Sequence, residues 1–400
     1  MKVIEDGHVT SAQGFEAGGI HAGIKAEAKD MALVYSQHAA SAAAVYTTNK
    51  VQAAPIHIDR EHLADGTAQA VILNSGNANA CTGQRGLEDG RRMCQLTAAA
   101  LGLASADVLV CSTGVIGVTL PMAAIEAGIP KVVEARAADG GHAAAAAIMT
   151  TDTVPKSFAV EVEVGGKTVR VGGMAKGAGM IAPNMATMLA VVTTDAALET
   201  GLLQELLLQA VQRSFNCITV DGDMSTNDTV IVLANGAAAA PLLEKGGAEV
   251  EVFYAALEEV CRQLARKIAR DGEGATKLIE ISAINGRSEA EARQVGLSVA
   301  NSNLVKTAVF GCDPNWGRIL CASGYAGVDI DPEKLEVKLC GISIYKDGAG
   351  QDFDQEALIE AMRAEHIPIE IDLAQGAAQA EVYTCDFSYD YVRINAEYTT

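Results

Sequence analysis

The sequence predicts an α/β protein with a large body and a smaller second α/β domain. Apolar segments of strand character alternate with helix-period segments before residue 280. Beyond Lys277 the texture changes, and strands surround a single helix. A chain of 400 residues is more naturally two domains than one. We place the boundary near residue 280, giving a body over 1–280 and a smaller domain over 281–400.

Ala68–Leu73 reads as a buried strand that Asn74-Ser75-Gly76-Asn77 ends in a turn. Leu87–Leu103 follows as a helix. Val108–Val110 is a short strand leading into the small-residue loop Ser112-Thr113-Gly114. The run Ala143–Ala147 suits a tightly packed helix. Phe158–Val171 is a hairpin: Val160, Val162 and Val164 alternate with charge, Gly165-Gly166 turns, and Val169 and Val171 return. Met188–Val192 is apolar and reads as a buried strand. Leu202–Phe215 and Val252–Ile268 have helical periodicity, the second with a charged face. In the smaller domain, strands around Leu335–Tyr345, Ile367–Leu373 and Ala380–Cys385 surround a helix at Gln355–Met362.

Composition narrows the function. Hydrophobic residues make up 49% of the chain, too many for disorder. Lys plus Arg number 30 against 50 Asp plus Glu, a formal net charge of -20. A surface that acidic repels phosphate backbones, so a nucleic-acid partner is not expected. The opening Met1–Phe15 lacks the apolar stretch of a secretory signal, and no run of roughly 18 apolar residues suggests a membrane span. The 9 cysteines are scattered and form no CxxC pair, which reads as mostly buried thiols in a reducing compartment. The expectation is a cytoplasmic protein.

The unusual stretch is Lys176–Leu189. A glycine-rich loop runs through Pro183 and meets a strand at Thr187. It lacks the order of a phosphate loop and does not follow a strand and open a helix as a dinucleotide fingerprint does. Thr187 has two readings. As a structural residue it is a good strand former whose hydroxyl satisfies the loop. As a nucleophile it needs an adjacent base, and a free N-terminal amine is one. That amine exists only if the Ala186–Thr187 bond is cut.

Asp221, Asp223 and Asp228 look at first like a cation loop. Ser225, Thr226 and Val232 break the calcium-loop pattern, so these acids read as structural acceptors and no metal is expected. The 7 histidines form no ligand-spaced pair.

Several segments in a fixed order resemble the ornithine acetyltransferase family, also called glutamate N-acetyltransferase or the ArgJ family. They are Gly14–Ile20, Tyr46–Asn49, Asn74–Asn79, Ser112–Gly117, Lys176–Leu189, Thr219–Asp223, Ser225–Asp228, Asp271–Lys277 and Asp313–Arg318. Nearly the whole chain is covered. Met224 and Cys217 stand where more polar residues are expected in many members.

The resemblance implies paired sheets between helix layers in an α/β core, with a smaller second α/β domain. It implies self-cleavage between Ala186 and Thr187 into an alpha chain (1–186) and a beta chain (187–400). These stay together, usually as a two-plus-two heterotetramer. The freed Thr187 is then the nucleophile that carries an acetyl group from N2-acetyl-L-ornithine to L-glutamate in arginine biosynthesis. Some members also take the acetyl group from acetyl-CoA, a second donor that the resemblance admits; no resident cofactor is implied.

By the same resemblance Thr113 and Gly114 stabilise the oxyanion, and Thr150, Lys176, Thr187, Glu273, Asn395 and Thr400 bind substrate, the C-terminal tail returning to the site. Chemistry agrees for some of these. Gly114 permits close backbone approach, Lys176 can pair with a substrate carboxylate, and Glu273 can pair with an amine. Each also has a plain alternative: a self-capping hydroxyl at Thr113, a solvated charge at Lys176, an acidic turn at Glu273, a helix-end hydroxyl at Thr150. Two other functions stay open, a self-processing N-terminal-threonine aminopeptidase or amidase, and a non-catalytic small-ligand binder with an inert Thr187.

Overall fold

The computed structural model describes residues 1–182 and 188–397. In the body the strands are β1 (Lys2–Val3), β2 (Phe15–Ile20), β3 (Met31–Tyr46), β4 (Thr67–Asn77), β5 (Val108–Val115), β6 (Lys156–Val164), β7 (Lys167–Lys176), β8 (Leu189–Thr194) and β9 (Thr229–Ala234). Its helices are α1 (Ala54–His62), α2 (Gly83–Leu101), α3 (Met122–Glu134), α4 (Gly141–Ala147), α5 (Thr200–Gln212) and α6 (Glu249–Arg270). Next come β10 (Leu278–Gly286), α7 (Glu289–Ala300), α8 (Asn303–Phe310), α9 (Trp316–Gly324), β11 (Glu336–Leu339), β12 (Ile342–Lys346) and β13 (Ala349–Gly350). The chain continues through α10 (Gln355–Ala361), β14 (His366–Asp372), β15 (Ala378–Cys385) and α11 (Tyr389–Glu397).

The larger sheet has nine strands in the order β1-β6-β7-β8-β9-β3-β4-β5, with β2 added on β3. Strand β3 is shared. Its first part, Met31–Tyr35, pairs with β2 and β4, and Ser41–Tyr46 pairs with β9. The register against β4 shifts between Tyr35 and Ala40, an irregularity that re-aims a strand. The sheet thereby becomes two facing halves.

Period-2 alternation assigns the faces. Val34, Leu73 and Leu109 from one half meet Met174, Val191 and Ile231 from the other, around Ala144 and Ala145 of α4. On the outside of the first half, Leu33, Ile72 and Val110 pack on Met93 of α2 and Ile129 of α3. On the outside of the second half, Val171, Val192 and Val232 pack with Leu207 of α5 and Phe253 and Leu264 of α6. The layers therefore run helix, sheet, sheet, helix, the paired-sheet α/β arrangement that the family resemblance implies. Helix α6 shows why: apolar residues recur at three- and four-residue steps, Glu249 and Glu251 open it, and Lys267 and Arg270 close it, matching its dipole.

A second, six-stranded sheet, ordered β13-β12-β11-β14-β10-β15, begins at Leu278 and has its own core, with Ile281, Ile369 and Val382 against Val295 and Val299 of α7. Among the described residues no helix is long and apolar enough to cross a membrane. Five cysteines are buried: Cys94, Cys111, Cys217, Cys261 and Cys385.

Three expectations are corrected. Beyond Lys277 the described residues hold five helices, α7 to α11, where the sequence suggested one. Asn74–Asn77 is not a turn but the end of β4, and Ser112-Thr113-Gly114 is not a loop but part of β5. The cause is parallel pairing, which continues through Ser75 opposite Thr113 and Gly76 opposite Gly114. Small polar residues read as turn formers locally, but a neighbouring strand supplies their backbone partners.

Candidate active site

Thr113 and Gly114 near the end of β5, Lys176 at the end of β7, Thr150 after α4, Glu273 after α6 and Asn395 in α11 line one pocket. Ser225 and Asn227, just before β9, complete a wall. Residues far apart in sequence meet here because strand ends and the loops that follow them gather at one edge of the larger sheet.

Thr113 is buried, and the Lys176 ammonium lies 3.5 Å from its hydroxyl oxygen, at the outer edge of hydrogen-bond range. Gly114 has φ +131°, and a Cβ there would sit 2.4 Å from the Gly76 carbonyl carbon. No other residue fits without moving β4. Beneath them the Ser112 hydroxyl donates to Asn74 Oδ1 at 2.6 Å, and Asn227 Nδ2 donates to the Ser112 carbonyl at 2.8 Å. The strand end is thus fixed by side chains on both sides.

Lys176 is 2% exposed. Burial pulls its ammonium below the ordinary lysine value, opposed by the carboxylates of Asp152, Asp228 and Glu273. Asp152 lies at the centre of a buried network that sequence reasoning missed. It accepts from Lys156 Nζ at 2.6 Å, from the Gly177 N–H at 2.7 Å and from the Thr150 N–H at 2.9 Å. Lys156, fully buried, also donates to Asp271 at 2.6 Å. Asp271 in turn accepts the Thr153 N–H at 3.0 Å and starts the segment that carries Glu273. One ion triad therefore ties together the segments around Thr150, Lys176 and Glu273. Its sequence signal is weak, because Lys156 and Asp271 lie 115 residues apart.

Glu273 is held by its backbone N–H on the Ala178 carbonyl at 2.8 Å, and Asn395 Nδ2 donates to its Oε2 at 2.7 Å. Gly179 lies directly over the carboxylate: a Cβ there would meet both Glu273 oxygens at 2.4 Å. Since that obstacle is a flexible side-chain end, Gly179→Ala should barely change the melting temperature but push the Glu273 carboxylate aside.

Asp221 is occupied by backbone donors, accepting the N–H groups of Met180 at 2.6 Å, Ile181 at 2.9 Å and Asp223 at 3.1 Å. It shapes the loop after Lys176. Among the described residues no group of three His, Cys, Asp or Glu side chains could hold a metal ion. The cleavage pair Ala186 and Thr187, and Thr400 at the C-terminus, lie outside the described residues. Met188, the next residue after Thr187, is buried and donates its N–H to Asp228 Oδ1 at 2.7 Å.

Comparison with known proteins bears on the whole chain. The model of the ArgJ family matches residues 16–400. The arginine biosynthesis bifunctional protein ArgJ of Caldanaerobacter subterraneus subsp. tengcongensis is 49% identical over 401 residues, covering 99% of this chain and 100% of that protein. Its namesake from Geobacter sulfurreducens is 49% identical over 392 residues, covering 98% and 100%. The crystal structure of the argJ protein from Bacillus halodurans superposes with a TM-score of 0.51 at 42% identity, over 98% of that chain and 52% of this one. The chain belongs to the ArgJ family.

Proposed function

We propose that this protein is the glutamate N-acetyltransferase of arginine biosynthesis, moving an acetyl group from N2-acetyl-L-ornithine to L-glutamate through an acetyl-Thr187 ester. The observation that carries this reading is the meeting of a fixed hydroxyl and glycine at a strand end with one buried cation and one buried carboxylate in a single pocket. That set suits a small zwitterion bearing an amide.

Maturation comes first. The Thr187 hydroxyl attacks the Ala186 carbonyl, the C–N bond between them breaks, and the released nitrogen takes the hydroxyl proton. Water then hydrolyses the ester, freeing the Ala186 carboxylate and restoring the Thr187 hydroxyl beside the α-amine released in the first step. In turnover that amine serves as base, since an α-amine titrates at about 7.7–8.0 before any shift. It takes the hydroxyl proton as the oxygen attacks the acetyl carbonyl, and it returns the proton to the departing ornithine nitrogen. Glutamate's amine reverses the sequence, which is ping-pong catalysis.

Thr113 Oγ1 and the Gly114 N–H receive the oxyanion of each tetrahedral intermediate, with Lys176 beside Thr113 adding positive charge. Lys176 also faces a substrate carboxylate, and Glu273 an amine. Thr113→Ala should lower kcat by roughly 10²–10³-fold, about 3 kcal/mol, if the hydroxyl is an oxyanion donor. Single-turnover rates of ornithine release check this, and an unchanged rate rejects the role.

The alpha and beta pieces form a two-plus-two assembly in the cytoplasm. The relatives are named bifunctional, which supports a second activity, and acetyl-CoA is the second donor proposed for it. Two assays on purified protein test the function: ornithine release from acetylornithine plus glutamate, and free thiol release from acetyl-CoA plus glutamate. Acetyl transfer to water in place of glutamate would instead identify a hydrolase.

A further inference from the structure

The turn before β9 does more than wall the pocket. Asp228 is fully buried. Its Oδ1 accepts the Met188 N–H at 2.7 Å, and the next residue, Thr229, donates its backbone N–H to the Met188 carbonyl at 3.1 Å. Met188 is therefore gripped at both of its backbone polar groups from one place. The grip is anchored in turn: the Asp228 carbonyl accepts the Thr47 N–H at 3.0 Å, and Asn227 Nδ2 donates to the carbonyls of Ala78 at 2.6 Å and Ser112 at 2.8 Å. One short segment thus joins the end of β5, which carries Thr113, to the first residue after Thr187.

A second observation separates Asp228 from an ordinary strand-end acceptor. Its Oδ2 is buried and has no partner among the described residues. A single N–H needs one acceptor, which a serine or threonine hydroxyl supplies without an orphan, whereas an orphaned buried oxygen costs about 1–3 kcal/mol. Burial also pushes the carboxyl well above its ordinary value, opposed by the Met188 N–H, Lys176 and the Thr47 hydroxyl.

We propose that Asp228 is a positioning residue for the nucleophile: by clamping Met188 it fixes the backbone on the carboxyl side of Thr187 relative to Thr113. The inference rests on the nucleophile reading above. The clamp serves both self-cleavage and turnover, because each needs the Thr187 hydroxyl directed at a carbonyl held by the same donors.

Asp59 supplies a matched control. It too is fully buried, with Oδ1 on the Val110 N–H at 2.8 Å and Oδ2 unpartnered among the described residues, but the backbone it holds does not adjoin Thr187. The test follows precursor cleavage of the full chain by intact mass, then kcat and KM for acetylornithine on the matured fraction. Asp228→Ala should slow cleavage and lower kcat by at least about tenfold each with KM little changed, as expected for a misplaced reacting group. Asp228→Asn keeps an acceptor for Met188 and should restore both rates to near wild type, while Asp228→Glu, with the carboxyl displaced, should not. Asp59→Ala should lower the melting temperature yet cleave and turn over normally. Normal cleavage and kcat in Asp228→Ala, or in Asp228→Glu should the alanine variant not fold, overturns the clamp. Equal slowing in Asp59→Ala also overturns it, by showing general destabilisation. An uncut but active wild-type chain removes the nucleophile reading itself.

Discussion

Thr187→Ala is expected to leave a single uncut chain of 41.4 kDa with no measurable acetyl transfer. In the proposed mechanism the substitution removes the hydroxyl that opens the Ala186–Thr187 bond, so no α-amine would be freed. It also removes the atom that would carry the acetyl group. Loss of a nucleophile that works as a unit with its base typically costs about four to six orders of magnitude in rate. Thr187→Ser keeps a hydroxyl and, once cleaved, an amine, so it should mature and retain part of the activity. Intact mass spectrometry reads the cleavage and ornithine release reads the transfer. An alanine variant that still transfers acetyl groups would remove Thr187 from the mechanism, and one that matures normally would remove it from self-cleavage.

Lys156→Met should cost about 3–5 kcal/mol of stability, the range for breaking a buried ion pair by removing one partner. Lys156 lies between Asp152 and Asp271, 2.6 Å from each, with all three side chains nearly out of solvent. Without the ammonium, two carboxylates are left buried close together. The damage should reach catalysis as well, because Asp152 holds the Gly177 and Thr150 N–H groups and Asp271 begins the Glu273 segment. Thermal unfolding and turnover on the same preparation check both effects. A variant as stable and active as wild type would show that the triad does not organise the site.

The same network predicts an acid limit. Burial by itself would raise the Asp152 carboxyl, but Lys176, Lys156 and the Gly177 N–H outweigh it and hold the group well below the usual carboxylate range. The folded state therefore binds this proton more weakly than the unfolded state does. Its stabilising contribution is complete above about pH 4 and is lost as pH falls from there towards the folded value.

Sequence patterns revealed elements whose neighbours share their periodicity. The β6–β7 hairpin was legible because Val160, Val162 and Val164 alternate with charge and Gly165 and Gly166 both adopt positive φ. Helix α6 was legible from its apolar spacing. Strand β3 was not, since its burial pattern changes midway where it passes from one set of partners to another. Helix α3 was hidden by Pro130 within it. At the site, Thr113, Lys176 and Glu273 stood out through motifs, but only tertiary structure turns Lys176 from a presumed loop charge into a buried strand-end cation. Asp152, Lys156 and Asp271 look like ordinary surface charges one at a time, and their meaning lies in their mutual distances.

The strand order has one more consequence. Strands β8 and β9 lie beyond the Ala186–Thr187 bond, yet they are inserted between β7 and β3, which both precede it. Severing that bond would leave the fragments interleaved like fingers, each bordered by the other along hydrogen-bonded edges. Neither could depart without laying open the interior that both line. Proteolysis and dissociation are thereby uncoupled: the covalent link can be given up while the partnership persists, and reassembly after full denaturation becomes a two-body encounter between mutually dependent halves.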